Sequence, residues 1–170
     1  ADAPARISAV VDEIDEAIRE IRGVIFTLHR PMHLDSGLAE ALRASLNESA
    51  RLLGHHPTLR VMGVLDAVPE DLVAELLTVL RETLMNVAKH ARATKTDVSL
   101  DVGSEAVTLV VTDDGVGMPA AGVADSGGRG VGNIAERASR LGGHATFSDG
   151  ASGGTEVRWT VPLPGTTSTA

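Results

Sequence analysis

Four segments of alternating apolar and polar residues fall into two close pairs. Lys95 to Val102 is followed by Ala106 to Thr112, with Gly103-Ser104 between them. His144 to Ser148 is followed by Thr155 to Val161, across a stretch that ends in Gly153-Gly154. Alternation with period two marks a half-buried strand, and a short Gly-bearing link makes each pair a hairpin. The helical patterns lie outside these pairs, so regular strand–helix alternation is missing. This arrangement predicts an α+β fold, a two-layer α/β sandwich, and disfavours a doubly wound parallel sheet.

The helical patterns are well bounded. Ser36 is placed to cap a helix running to about Leu53, with Leu38, Leu42, Leu46 and Leu53 on its inner side. Gly54-His55-His56-Pro57 breaks it, and Thr58 to Val64 alternates as a further strand. Pro69 suits the first turn of a helix that extends to about Arg92, and Val131 to Leu141 forms another before Gly142-Gly143 stops it. Hydrophobic residues make up 43% of the chain, but with two Phe, one Trp and no Tyr the core has to be built from Val, Leu, Ala and Ile.

Ahead of this lies a different pattern. Ile7, Val10, Ile14, Ala17, Ile21, Val24 and Leu28 step by three and four, while Val11, Ile18 and Ile25 widen the stripe beyond a two-stranded seam. A stripe of that width suits a helix of a bundle, shared with a partner chain or folded onto its own domain. The expected division is a helix over residues 1–30, a hinge at 31–35 beginning with Pro31, a domain over 36–164 and a disordered tail at 165–170. The chain begins inside a periodic pattern, so it is expected to be a piece of something longer.

Charge and composition narrow the chemistry. A net charge of −8 argues against nonspecific nucleic-acid binding, which depends on Lys and Arg neutralising phosphates. With no Cys there are neither disulfides nor thiolate metal sites, which fits a reducing compartment. No apolar run approaches the ~20 residues of a membrane helix, and the first residues lack the form of a secretion signal. The piece is expected to be soluble and to make no membrane contact.

Three segments carry the polar groups that chemistry would need. In RETLMNVAKHA (Arg81 to Ala91), Glu82 and Asn86 are four apart, with Lys89 and His90 three and four further on, so an ideal helix sets them along one face. Leu76, Leu77, Leu80, Leu84, Val87 and Ala88 occupy the opposite positions. A solvated face is the plain alternative, but Asn86 is a mediocre helix former in mid-helix. Its amide oxygen is the hard donor that magnesium prefers. In TDDGVGM (Thr112 to Met118), Asp113 ends an apolar strand, and Gly115 and Gly117 allow close backbone approach. A tight turn explains Asp-Gly equally well. In GRGVGN (Gly128 to Asn133), Gly128, Gly130 and Gly132 open onto a helix N-terminus, a natural anion site. A dinucleotide fingerprint is discarded, because a long loop precedes these glycines and no acid follows on a second strand. That loop, Asp113 to Arg129, holds five Gly and is long enough to be functional or mobile. Thr155, after Gly153-Gly154, is either a turn residue or a hydroxyl reaching the same pocket.

In their order and spacing these segments resemble the N box and glycine boxes of the Bergerat-fold ATPases, a superfamily that includes sensor histidine kinases, gyrase B, heat-shock chaperone ATPases and MutL. The resemblance covers about Ser36 to Pro164. With RETLMNVAKHA, GVGNIAERASRLGG and GGTEVRWTVPLP, the chain looks most like the catalytic domain of the nitrate-sensor-like class of two-component histidine kinases. It is also similar to the actinobacterial haem-GAF dormancy sensors. The stretch AVVDEIDEAIREIRGVIFTLH is similar to the second helix of that class's dimerisation domain.

The resemblance implies ATP and Mg2+ as ligands and ATP-dependent transfer to a protein His. Asn86 would ligate magnesium, Glu82 would be the N-box acid, and Lys89 and His90 would face the phosphates. Asp113 would accept a hydrogen bond from the adenine amino group, with Gly115, Gly117 and Thr155 nearby. Gly128, Gly130 and Gly132 would let the backbone close over the phosphates, and Pro119 to Gly127 would form the lid. The lid lacks the Phe-bearing box of commoner kinases, as does the nitrate-sensor-like class. The acceptor His would lie on an upstream helix, because His29, His33, His55 and His56 sit at helix ends or breaks without a following acid. These four read as surface or hinge residues, and His144 as structural. A response regulator, a homodimeric whole protein and a cytoplasmic setting follow from the same resemblance. The rival expectations are an anti-sigma-type serine kinase of the same fold, a non-catalytic dimeric scaffold and, less favoured, a gyrase-like clamp.

Overall fold

Leu38, Leu42 and Leu46 recur at four-residue steps, and helix α1 (Gly37–Leu53) turns all three into the core. The computed structural model describes residues 37–118, 129–150 and 153–163, within a unit, Ser36–Ala170, that is distinct from Ala1–Asp35. The expected N-terminal helix, the Pro31 hinge, the Ser36 cap, the lid at 119–127, Gly128 and the tail lie outside the described residues.

After α1 come strand β1 (Thr58–Gly63), a single 3-10 turn (Leu65–Ala67) and helix α2 (Glu70–Asn86). Strands β2 (Thr96–Val102) and β3 (Ala106–Asp113), helix α3 (Arg129–Arg140), and strands β4 (His144–Asp149) and β5 (Thr155–Pro162) complete the unit. Both predicted hairpins are present, β2 with β3 and β4 with β5, each antiparallel. The sheet runs β1-β2-β3-β5-β4. β1 lies parallel to β2, so β1, α2 and β2 form one crossover unit in an otherwise antiparallel sheet. The strand pattern at Thr58 to Val64 signals a strand but names no partner.

One face of the sheet is apolar. Val98, Leu100 and Val102 of β2 stand beside Val111, Leu109 and Val107 of β3, which in turn face Val157, Trp159 and Val161 of β5. Leu76, Leu77, Leu80 and Leu84 of α2 and Ile134 and Ala138 of α3 belong to the same buried cluster. Each such Leu, fully removed from water, contributes roughly 1.5–3 kcal/mol. Small and aliphatic side chains dominate, as the composition requires, and among the described residues Trp159 is the one aromatic fully buried with them. Helices on one face of a mostly antiparallel sheet make the predicted two-layer α+β sandwich.

Several boundaries depart from expectation, among them the start of α3 at Arg129 instead of Val131, which puts Gly130 and Gly132 inside the helix. Pro69 is the N-cap of α2, one residue before the first helical position, and Glu70 and Asp71 supply the acidic first turn that the helix dipole favours. The α-helical part of α2 closes at Asn86 and continues as a single π turn (Val87–Ala91), ended by Arg92 in the left-handed conformation at φ 52°. No helix among the described residues is long and apolar enough to cross a membrane.

Candidate functional site

Asp113 sits where the buried row of β3 runs out. The strand alternates with every second residue buried, so the register that points Val107, Leu109 and Val111 inward also points Asp113 inward, opposite Thr96. Only 5% of it is exposed. Its Oδ1 accepts a hydrogen bond from the Gly115 amide at 2.8 Å, which bends the chain sharply away from the strand. A buried carboxylate is costly unless it is hydrogen-bonded, and this turn supplies one bond while leaving acceptor capacity for a ligand donor.

The neighbouring Asp114 does a different job. Its carboxylate accepts from the Thr94 amide and hydroxyl, each at 2.7 Å, and from the Lys95 amide at 2.8 Å. The Thr94 hydroxyl leads the effects that hold its pKa down at about 2, followed by the Lys95 amide. Asp114 therefore staples the link before β2 to the end of β3. The sequence signal for this was the doubled Asp, of which a simple turn needs only one.

The glycines divide by what surrounds them. A Cβ on Gly115 would lie 2.2 Å from the Ala91 carbonyl oxygen, and Val116 donates its amide to that same oxygen at 2.8 Å. The Asp113 turn is thereby docked onto the π turn that follows Asn86. Gly154, at φ 75°, lies so close behind Asp113 that a Cβ would fall 2.0 Å from the Asp113 carbonyl oxygen. Gly117 adopts φ 76°, and a side chain there would approach Gly154 O at 3.4 Å and Asp149 Oδ1 at 3.7 Å. Thr155 begins β5 half-buried, paired with Asp149, on the strand adjoining β3. Asp149 belongs to no local motif and is not marked in the sequence, whereas Gly154 is marked there only as part of the turn before Thr155.

A second group gathers between α2 and α3. Gly130 lies against Asn86, whose side-chain amide atoms would be 3.1 Å from any Cβ at position 130. One turn back along α2, Glu82 Oε1 accepts a hydrogen bond from Asn133 Nδ2 at 3.3 Å. Burial pushes the Glu82 carboxyl above its ordinary range, opposed by the Asn133 hydrogen bond and the charge of Arg137. Further back, Arg137 Nη1 pairs with Glu75 Oε2 at 2.7 Å. Gly132 is different again, with open space where its side chain would be.

Not every expected residue joins these groups. Lys89 and His90 lie on the π turn and are exposed, whereas Glu82 and Asn86 are half-buried. Both come after Asn86 on a turn of i→i+5 bonding, so spacings counted on an ideal helix do not carry over to them unchanged. His55 is not a bare surface residue either, since its Nε2 is 2.9 Å from the buried Thr96 hydroxyl. His144 opens β4 and is exposed.

The donor set bears on magnesium. Among the described residues no three His, Cys, Asp or Glu side chains are grouped to hold a metal ion. Asn86 offers a single neutral oxygen beside the side-chain-free Gly130. One protein oxygen, with the rest of the shell from water and phosphate, is how magnesium is commonly held on a nucleotide, so the residues fit that ion.

The model for the histidine kinase-, DNA gyrase B-, and HSP90-like ATPases matches residues 72–165. The chain belongs to this family. The match begins within α2 and so takes in both groups of site residues. Among relatives, the chain is 31% identical to the nitrate/nitrite sensor protein NarQ of Escherichia coli over 148 residues, 85% of this chain and 25% of that protein. It is 31% identical to the sensor histidine kinase LiaS of Bacillus subtilis over 160 residues, 93% of this chain and 43% of that one. The chain thus spans a quarter to less than half of these relatives. The fold is similar to that of the ATP-binding domain of PrrB from Mycobacterium tuberculosis, with a TM-score of 0.55 and 22% identity over 75% of this chain and 95% of that one.

Proposed function

We propose that this chain is the ATP-binding catalytic part of a two-component sensor histidine kinase. It would transfer the γ-phosphoryl group of ATP to a His on an upstream helix, for relay to an Asp of a response regulator. The observation that carries this reading is the docking of the Asp113 turn on the π turn after Asn86, through Gly115 and the Ala91 carbonyl. It ties a buried carboxylate at the sheet end to the helix bearing the amide oxygen.

In this reading Asp113 accepts the adenine amino hydrogen bond, with Gly115, Gly117 and Thr155 lining the base side. Asn86 holds magnesium, which supplies charge neutralisation at the phosphates when bound. Gly128, Gly130 and Gly132 bring backbone amides to the phosphates, and Lys89 and His90 reach them from the exposed side of the π turn. Glu82 stands as the acid at the phosphate end. The acceptor imidazole nitrogen forms its bond to the γ-phosphorus as the bond to the bridging oxygen breaks, and ADP leaves. A loose transition state of this kind is served by positioning and charge more than by covalent help from the protein. The whole protein would act in the cytoplasm as a homodimer through its N-terminal helix.

Calorimetric titration of the chain with ATP, with and without magnesium, tests the assignment. Binding should require magnesium for full affinity, weaken on Asp113→Asn and Asn86→Ala, and be much weaker for GTP, whose base carries a carbonyl where adenine carries its amino group. Equal affinity for ATP and GTP would overturn the role given to Asp113.

A further inference from the structure

Three contacts join α2 and α3 as antiparallel rungs. Asn86 meets Gly130, Glu82 meets Asn133 and Glu75 meets Arg137, so the chain descends one helix as it ascends the other. The outermost rung is a charged pair, with Arg140 at 3.9 Å as a second cation for Glu75. The innermost rung is the close approach of Gly130 to the Asn86 amide. Between them, Asn133 is exposed and projects from the N-terminal part of α3, yet its amide donates to a half-buried carboxylate.

We propose that Asn133 is a positioning residue for Glu82: its amide holds the carboxylate in a fixed orientation. The inference rests on the nucleotide-site reading above. Packing does not explain the choice of residue. Asn is a modest helix former, and the position is exposed, so the fold makes no demand for an amide there. The demand comes from Glu82, a half-buried acid with two partners, the Asn133 amide and the Arg137 charge. Arg137 is already committed to Glu75, so Asn133 is the group that sets the direction of the Glu82 oxygen.

A charge-bearing isostere separates positioning from a structural role. Asp at residue 133 matches Asn in shape and is favoured near a helix N-terminus by the dipole, so a purely structural residue would tolerate it or gain from it. A positioning donor would not, because the substituted carboxylate cannot donate and repels Glu82. The experiment compares wild type, Asn133→Ala and Asn133→Asp, well above the carboxylate pH range. It measures magnesium-ATP affinity in this chain and phosphoryl transfer in the complete kinase.

Asn133→Ala is expected to lower kcat about tenfold to a hundredfold, as misplacement of a reacting group does. KM for ATP should stay within about twofold, the split that marks an interaction used in the transition state. Asn133→Asp should fall below Ala in kcat, again with KM for ATP within about twofold. Wild-type kcat in Asn133→Asp, or a change confined to KM, would overturn the positioning role while leaving the nucleotide site intact. Failure of the wild-type chain to bind magnesium-ATP would overturn both.

Discussion

Gly115 is seated on Ala91 with no room between them, its missing Cβ position falling 2.2 Å from the Ala91 carbonyl oxygen. The neighbouring Val116 amide bonds to that oxygen, so backbone meets backbone where two motifs far apart in sequence come together. Gly115→Ala should therefore drive the turn off the helix end. The expected cost is about 1–3 kcal/mol, as for other overpacked sites, and magnesium-ATP affinity should fall with it. Thermal unfolding and calorimetry on the same sample check both effects.

The two helix glycines should respond in opposite ways. Gly132 has open space around it, and Ala there should stabilise α3 by roughly 0.5–1 kcal/mol through backbone entropy. Gly130→Ala would press on the Asn86 amide and lose that gain. Both variants should bind magnesium-ATP more weakly, so in Gly132→Ala stability and affinity part company. A Gly132→Ala protein that melts higher and binds as well as wild type would remove Gly132 from the site.

Acid unfolding should carry the mark of Asp114. Its pKa is held at about 2 in the folded protein, below the ~3.9 of a free Asp. A depressed carboxylate contributes stability that is complete above the unfolded value and disappears as pH falls through the folded one. The contribution should fade between about pH 4 and pH 2. Asp114→Asn should flatten the stability–pH curve across that window, read by urea midpoints at successive pH values.

Glu82 has the opposite sign. Burial raises its pKa in the folded state, so the native protein binds the proton more tightly than the unfolded chain does. Stability linked to Glu82 should rise as pH falls through its folded value and decline above it. Glu82→Gln should remove that slope just above the usual glutamate range and hold or raise the melting temperature at neutral pH. If Glu82 is the acid of the proposed reaction, the same variant should transfer phosphate far more slowly. Parallel melting and transfer assays separate the two effects.

Much of this arrangement was legible in the residues. The alternation of β3 fixed which face Asp113 would take, since its inward neighbours are Val107, Leu109 and Val111. The hairpins followed from short links, and α1 and α2 from Leu spacing. What stayed hidden depends on partners distant in sequence. The parallel pairing of β1 with β2 leaves no local trace. The π turn was read as ordinary helix, because nothing in VAKHA announces that Ala91 will offer its carbonyl to Val116. The glycines look alike on the page, yet one is forced by a carbonyl oxygen and another faces open space. Asn133 and Glu82 are similarly separated, by 51 positions, and meet only when α3 docks on α2.

Trp159 is the sole tryptophan of a chain without tyrosine, and it is wholly enclosed between Leu109 and Ala145 in the sheet register. The chain thus carries one indole fluorophore, and it is fully buried. Its emission should be blue-shifted and hard to quench with iodide, and it should redden only when the sandwich comes apart. A ligand that altered the spectrum without unfolding the chain would be reporting strain carried along β5 from Thr155.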